Sequence, residues 1–170
     1  MKEELQERLV EKYPQLLREY GGDIKETAMA WGFECGDGWF RLIDDTLHLI
    51  NQVCIKFGYE EISVAQVKEK FGELRIYMNY GEGSKDVYNI IECITESALQ
   101  KSKSICEISG DAGTLCKRGS WCKTLSYDEW RKSKRRMTNN TYEPVSVFMK
   151  DHWEKRERED ERLQGKDLVE

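Results

Sequence analysis

Proline and histidine are scarce: two of each in 170 residues. So few prolines exclude a proline-rich spacer, and two isolated histidines leave little for metal or general-base chemistry built on imidazole. His48 and His152 have no recognisable nucleophile motif beside them, and Asp44 and Asp45, adjacent on a helix, point in different directions and make no acid/base pair. A phosphate-cradling strand-Gly-x-x-x-x-Gly-Lys loop is lacking, and Gly81-Glu-Gly-Ser84 has neither the basic residue nor the context to replace it. There is no internal repeat and no long low-complexity segment. Long hydrophobic runs are lacking too. The longest uncharged stretch in the helical part, 46–55, is far too short to cross a bilayer, and Met1-Lys2-Glu3-Glu4-Leu5 does not open a signal peptide. A cytoplasmic protein with no membrane partner is the expectation. In that setting the six cysteines read as thiols or metal ligands rather than disulfides, with Cys54 and Cys93 on apolar helical faces as core residues.

What is present is a chain able to bury one core, with 39% hydrophobic residues and 18 aromatics. Net charge is −5, unevenly spread: 117–136 carries eight basic and two acidic residues, so the remainder stands at −11.

Leu5, Leu9, Val10, Tyr13, Leu16, Leu17 and Tyr20 recur at helical spacing, with Pro14 able to start a second short helix and Gly21-Gly22 closing the segment. Asp23 is placed to cap a short helix to about Ala30, and Asp37 to cap a long one carrying Trp39, Phe40, Ile43, Leu47, Ile50, Cys54 and Phe57 up to Gly58. Stretches 62–70 and 73–80 are rich in β-formers and read as a hairpin turning at Phe71-Gly72. Leu74, Ile76 and Met78 face one way, Arg75, Tyr77 and Asn79 the other. Asp86 then caps a helix whose stripe of Val87, Ile90, Ile91, Ile94 and Ala98 covers the hairpin. Ser126 and Glu129 form a capping box for a basic helix ending near Arg136, 137–143 is a polar linker, and Pro144 opens a final helix docked by Val145, Phe148, Met149 and Trp153. Its charged end, 154–162, reads as a solvated helix or a frayed tail. The pattern predicts an α+β fold: helices packed on a β-hairpin or small antiparallel sheet. The division is 1–104 as body, 105–136 as ribbon-like segment with basic helix, and 137–170 as linker and charged C-terminal helix.

Tyr20-Gly-Gly-Asp23, Trp31-Gly-Phe-Glu-Cys-Gly-Asp-Gly-Trp39, Gln66-Val-Lys-Glu-Lys-Phe-Gly-Glu-Leu-Arg-Ile-Tyr77 and the segment opening at Cys106-Glu107 together resemble a family of small phage-encoded proteins, over roughly residues 1 to 129. The resemblance implies action in the cytoplasm of an infected bacterial host. It also implies a zinc-ribbon-like C-terminal segment with four ligands in two knuckles. Here the corresponding positions are Cys106, Ser109, Ser126 and Glu129, so the ribbon is degenerate, since a serine hydroxyl is a poor zinc ligand beside a thiolate. Cys116 and Cys122 are weak candidates to join Cys106, with His152 the available fourth; the expectation is no cofactor and a ribbon held by Leu115, Trp121 and Leu125.

Two further candidate sites follow from residue type. Trp31, Glu34, Asp37 and Trp39 in the glycine-punctuated connection, with Lys68, Lys70, Arg75 and Tyr77 on the hairpin, offer aromatics, acids and cations to a nucleotide-like ligand; packing and ion pairing are the plain alternative. Arg131, Lys132, Lys134, Arg135 and Arg136, near Trp121, Tyr127 and Trp130, offer cations to phosphate and aromatics to bases, unless the acidic tail folds back and cancels the field. Three function classes remain. The first is a non-enzymatic binding protein that binds or sequesters a nucleotide signal or a host bacterial protein in counter-defence. The second is a nucleic-acid-binding accessory protein using the basic helix, and the third an enzyme hydrolysing nucleotides through Glu34, Asp37 and Asp45 with a divalent metal. Oligomeric state is not legible.

Overall fold

A computed structural model describes residues 1–136 and 141–166, the side chains of 164–166 excepted. The chain is α+β. Its described elements are α1 (Glu3–Lys12), β1 (Phe33–Glu34), α2 (Phe40–Phe57), β2 (Ser63–Lys70), β3 (Glu73–Asn79), α3 (Lys85–Ser102), β4 (Thr114–Arg118), β5 (Trp121–Leu125), α4 (Tyr127–Arg136), β6 (Glu143–Pro144) and α5 (Val147–Lys166). They form two three-stranded sheets, β1-β2-β3 and β5-β4-β6. No described helix is long and apolar enough to cross a membrane.

The hairpin forms as its alternation dictates, with Val67 opposite Ile76 and Lys68 opposite Arg75. Phe71 and Gly72 both take positive φ, 58° and 82°, the two-residue turn whose twist suits a hairpin, although at Phe71 the left-handed conformation costs about 1 kcal/mol. β1 adds in parallel, setting Glu34 beside Lys68. α2 keeps the expected stripe, burying Ile43, Leu47, Ile50 and Cys54, and ends at Gly58 in the left-handed conformation. Trp39 at its start reaches Ile105, just beyond the end of α3, through Nε1 to the carbonyl at 2.9 Å. At the other end the Ser84 amide donates to the Tyr59 hydroxyl at 2.8 Å. The two long helices therefore run antiparallel over the inner face of the first sheet.

Several local expectations give way to tertiary contacts. Residues 14–20 are turns rather than a second helix, because Leu16 and Leu17 are fully buried and the Leu16 carbonyl accepts from Val64 N at 2.8 Å. Asp23 caps a single turn; Thr27 then starts a 3-10 turn, its hydroxyl accepting from Met29 N. Ser84, not Asp86, caps α3. Asp37 does not cap α2. Its carboxylate accepts from the backbone of Lys2, at the start of α1, at 2.7 Å. Pro144 lies in β6, paired with Cys116, and α5 begins at Val147 with Ser146 capping.

A second core lies in the C-terminal part: Cys116, Leu125, Tyr127, Trp130, Tyr142 and Trp153, with Met149 against it. Segments 105–136 and 141–166 thus share one core, which keeps Leu125 as expected but is otherwise built mainly of aromatics, with Leu115 only half-buried. Trp121 is 68% exposed, and Val145 and Phe148 likewise stay outside. Residues 137–140 of the expected linker lie outside the described residues; Tyr142, at its far end, is buried, its carbonyl accepting from Trp130 Nε1 at 2.9 Å.

The two cores meet at a seam. The Glu107 carboxylate accepts from Gly36 N at 3.1 Å and its carbonyl from Gly38 N at 2.8 Å. A Cβ on Gly38 would overlap the Cys106 carbonyl, so only glycine permits this approach. The hairpin tip docks there too, Thr124 Oγ1 donating to the Gly72 carbonyl at 2.7 Å.

Candidate functional site

The eight loop and hairpin candidates do not assemble into one site. Glu34, Lys68 and Arg75 lie side by side across the first sheet, with Tyr77 opposite Gln66. Each is already engaged: Glu34 accepts from Gln66 Nε2 at 2.8 Å, Lys68 lies over the Tyr77 ring at 5.3 Å, and Arg75 pairs with Glu73 at 2.6 Å. Lys70 sits over Phe71. Trp31, 67% exposed, borders a shallow hollow with Glu34. Asp37 is turned to Lys2, and Trp39 is completely buried in the core.

The basic helix α4 meets the acid-bearing face of α5. Arg131 pairs with Asp160 at 3.0 Å and Lys134 with Glu157 at 2.7 Å, while Lys132 pairs with Glu129 at 2.6 Å. Burial, and then the hydrogen bond to Asp160, push the Tyr127 hydroxyl up to about 12. Of the five cations, Arg135 and Arg136 are the ones with no described partner.

The positions expected to form knuckles lie in two short turns. Ser109 N donates to Cys106 Sγ at 3.5 Å, Glu129 N donates to Ser126 Oγ at 3.4 Å, and the two serine hydroxyls stand 3.4 Å apart. The four positions thus approach as two facing turns, but their chemistry does not fit zinc: two hydroxyls stand where thiolates belong, and the Glu129 carboxylate is held by Lys132. Cys106 and Cys116 are both fully buried, and burial first, then the nearby Glu143, drive the Cys116 thiol up to about 12, away from the thiolate a metal needs. Cys122 is half-buried, and His152 is exposed, stacked on Phe148. No three His, Cys, Asp or Glu side chains among the described residues gather as a metal site would require.

The prominent concavity is elsewhere. Between α2 and α3 runs a groove of about 610 Å³. Leu42, Thr46, Ile94 and Ala98 lie along it, and Leu49 and Ile90 flank it, half-exposed. Its end is closed by Ile105 and by the close approach of Gly38 and Gly110. Thr46 contributes no free polar group, since its hydroxyl donates to the Leu42 carbonyl at 2.6 Å. Arg41, Asp45 and Lys101 form the charged rim, and none has a side-chain partner among the described residues. Cys93, expected in the core, is exposed on the groove wall. Concave, mainly apolar sites with a few polar groups of this size are where proteins hold ligands.

The sequence carries a signal for this groove that a single-stripe reading passes over. α2 has a second row, Leu42, Thr46 and Leu49, beside its core row, and α3 places Ile90, Ile94 and Ala98 on the face toward it. An apolar arc wider than one stripe on each of two adjacent helices leaves apolar surface over once both have covered the sheet. No family model, no curated protein and no solved structure matches the chain.

Proposed function

We propose that the chain is a non-enzymatic binding protein that takes its partner into the groove between α2 and α3. The observation carrying this reading is a preformed apolar groove of about 610 Å³ whose rim charges are unpaired. Apolar surface left open between two helices is a cost in isolation and becomes useful when a ligand covers it. Asp45 is the sole acid on the groove and no histidine lines it, so the lining holds no acid/base pair for turnover. Action in an infected bacterium, in counter-defence, follows from the resemblance to phage-encoded proteins. For nucleic-acid binding through α4 no observation speaks, three of its five cations being paired within the chain.

The test is native mass spectrometry of the protein after incubation with bacterial extract and gel filtration. The natural chain carries an added mass that denaturation releases. Ser97→Trp, which fills the groove from an exposed position, and Ile90→Glu, which makes its wall polar, carry none while melting as the natural protein does. No added mass, or equal mass on both variants, contradicts the proposal.

A further inference from the structure

Resting on the groove as the binding site, we infer that its ligand is a monomeric aliphatic carboxylate, an acyl chain with its acid group at the Arg41–Lys101 end. Two features of the groove lead there.

The first is what lines it. Leucine, isoleucine and alanine supply the apolar surface, and no tryptophan, tyrosine or phenylalanine is among the lining residues. Nucleotides are held by stacking on aromatic faces as well as by charge, and this groove has no such platform. A flexible alkyl chain needs only aliphatic contact. From Ile90 to Lys101 the groove follows α3 for roughly 16 Å at about 1.5 Å per residue, the reach of a medium-length acyl chain.

The second is the asymmetry of charge. Because α2 and α3 are antiparallel, Arg41 in the first turn of α2 and Lys101 in the last turn of α3 come to the same end, beside the Trp39–Ile105 bond. Both are exposed and unpaired among the described residues. A planar carboxylate suits a guanidinium, which can hold both oxygens at once. Asp45, one turn further along α2, repels an anion from the middle of the rim and so confines the acid group to that end.

The experiment is calorimetric titration with dodecanoate, octanoate, dodecanol and AMP. Dodecanoate binds, each methylene between octanoate and dodecanoate adding about threefold in affinity. Dodecanol binds at least tenfold more weakly, and AMP gives no heat. Arg41→Ala combined with Lys101→Ala equalises acid and alcohol without abolishing either, as expected if these exposed residues hold only the head group. In a second readout, dodecanoate slows maleimide reaction at Cys93, on the groove wall, and leaves Cys122 unaffected. Equal affinity for acid and alcohol, preference for AMP, or no binding overturns the ligand class. An extract-derived mass that is lost on Ser97→Trp but is a protein, or persists where dodecanoate fails to bind, overturns the acyl ligand and leaves the groove standing; absence of any such mass removes both.

Discussion

The Glu107 carboxylate lies 2.9 Å from the Lys123 ammonium with its side chain only 6% exposed, and its other oxygen accepts from Gly36. One residue thereby ties the segment that follows α3 to the connection between β1 and α2. Burial pulls the Lys123 pKa down, but the attraction of Glu107 outweighs it and the net shift is upward. Glu107→Ala leaves a half-buried cation and an unpaired amide, and is expected to cost about 2–4 kcal/mol, less than a fully buried pair because Lys123 is a third exposed. Glu107→Gln keeps a partner for Gly36 and costs about 1–2 kcal/mol. Urea denaturation of both variants measures the losses; a Glu107→Gln variant as stable as the natural chain would show that the charge pair contributes nothing, and equal losses that the Gly36 hydrogen bond contributes nothing.

Glu19 fastens the turn segment 14–20 to the end of the first sheet, accepting from Thr27, Ser63 and Asn79 at 2.7–2.8 Å. Burial acts to raise its pKa, yet these hydrogen bonds prevail and hold it below the ordinary carboxylate value. A carboxyl lowered by folding stabilises the protein above the unfolded pKa, near 4, and that contribution fades as pH falls through the lower folded value. Glu19→Gln is therefore expected to lose about 1–2 kcal/mol at neutral pH, with the gap to the natural protein closing below about pH 4. A gap independent of pH in thermal melts would contradict this.

The turns at 106–109 and 126–129 bring two serine hydroxyls within 3.4 Å of each other, a geometry to which metal ligands can be added. Ser109→Cys, Ser126→Cys and Glu129→Cys together would give four thiolates with Cys106 at positions already facing one another. The triple variant is expected to bind cobalt with the visible absorption of a tetrahedral thiolate site and to melt higher with zinc than without, while the natural chain shows neither. Absence of the cobalt spectrum in a folded triple variant would show that the four positions do not converge.

If α5 neutralises α4, removing its acids should release a basic surface. Glu157→Gln with Asp160→Asn is expected to raise the salt needed for elution from heparin, relative to the natural chain. Unchanged elution would mean that the pairs do not mask α4.

The fold was legible where burial and periodicity agree: the hairpin at Phe71-Gly72 and the helix closed by Gly58 follow from local pattern. The turns at 14–20 were not, because a helical spacing of Leu16 and Leu17 is equally served by an irregular segment whose carbonyl pairs with Val64. Trp39 and Asp37 looked like ligand groups because tryptophan and aspartate beside glycines serve both packing and binding. Only the partner 66 residues away, Ile105, shows that Trp39 packs. The groove escaped for a related reason: Ile90 and Ile94 fit the stripe that covers the sheet, and one-dimensional periodicity does not say how much of an apolar arc a neighbour will cover. The seam at Glu107 and Gly38 joins two motifs far apart in sequence, a juxtaposition that neither encodes alone.

Binding between α2 and α3 is read out residue by residue in methyl NMR of isoleucine-labelled protein. Titrated with protein-free bacterial extract, and separately with dodecanoate, the methyls of Ile90, Ile94 and Ile105 are predicted to shift while those of Ile62 and Ile76, toward the sheet, stay in place. Shifts confined to Ile76 and its hairpin, with Ile90 and Ile94 unmoved, would contradict the account and return the site to Lys68, Arg75 and Tyr77.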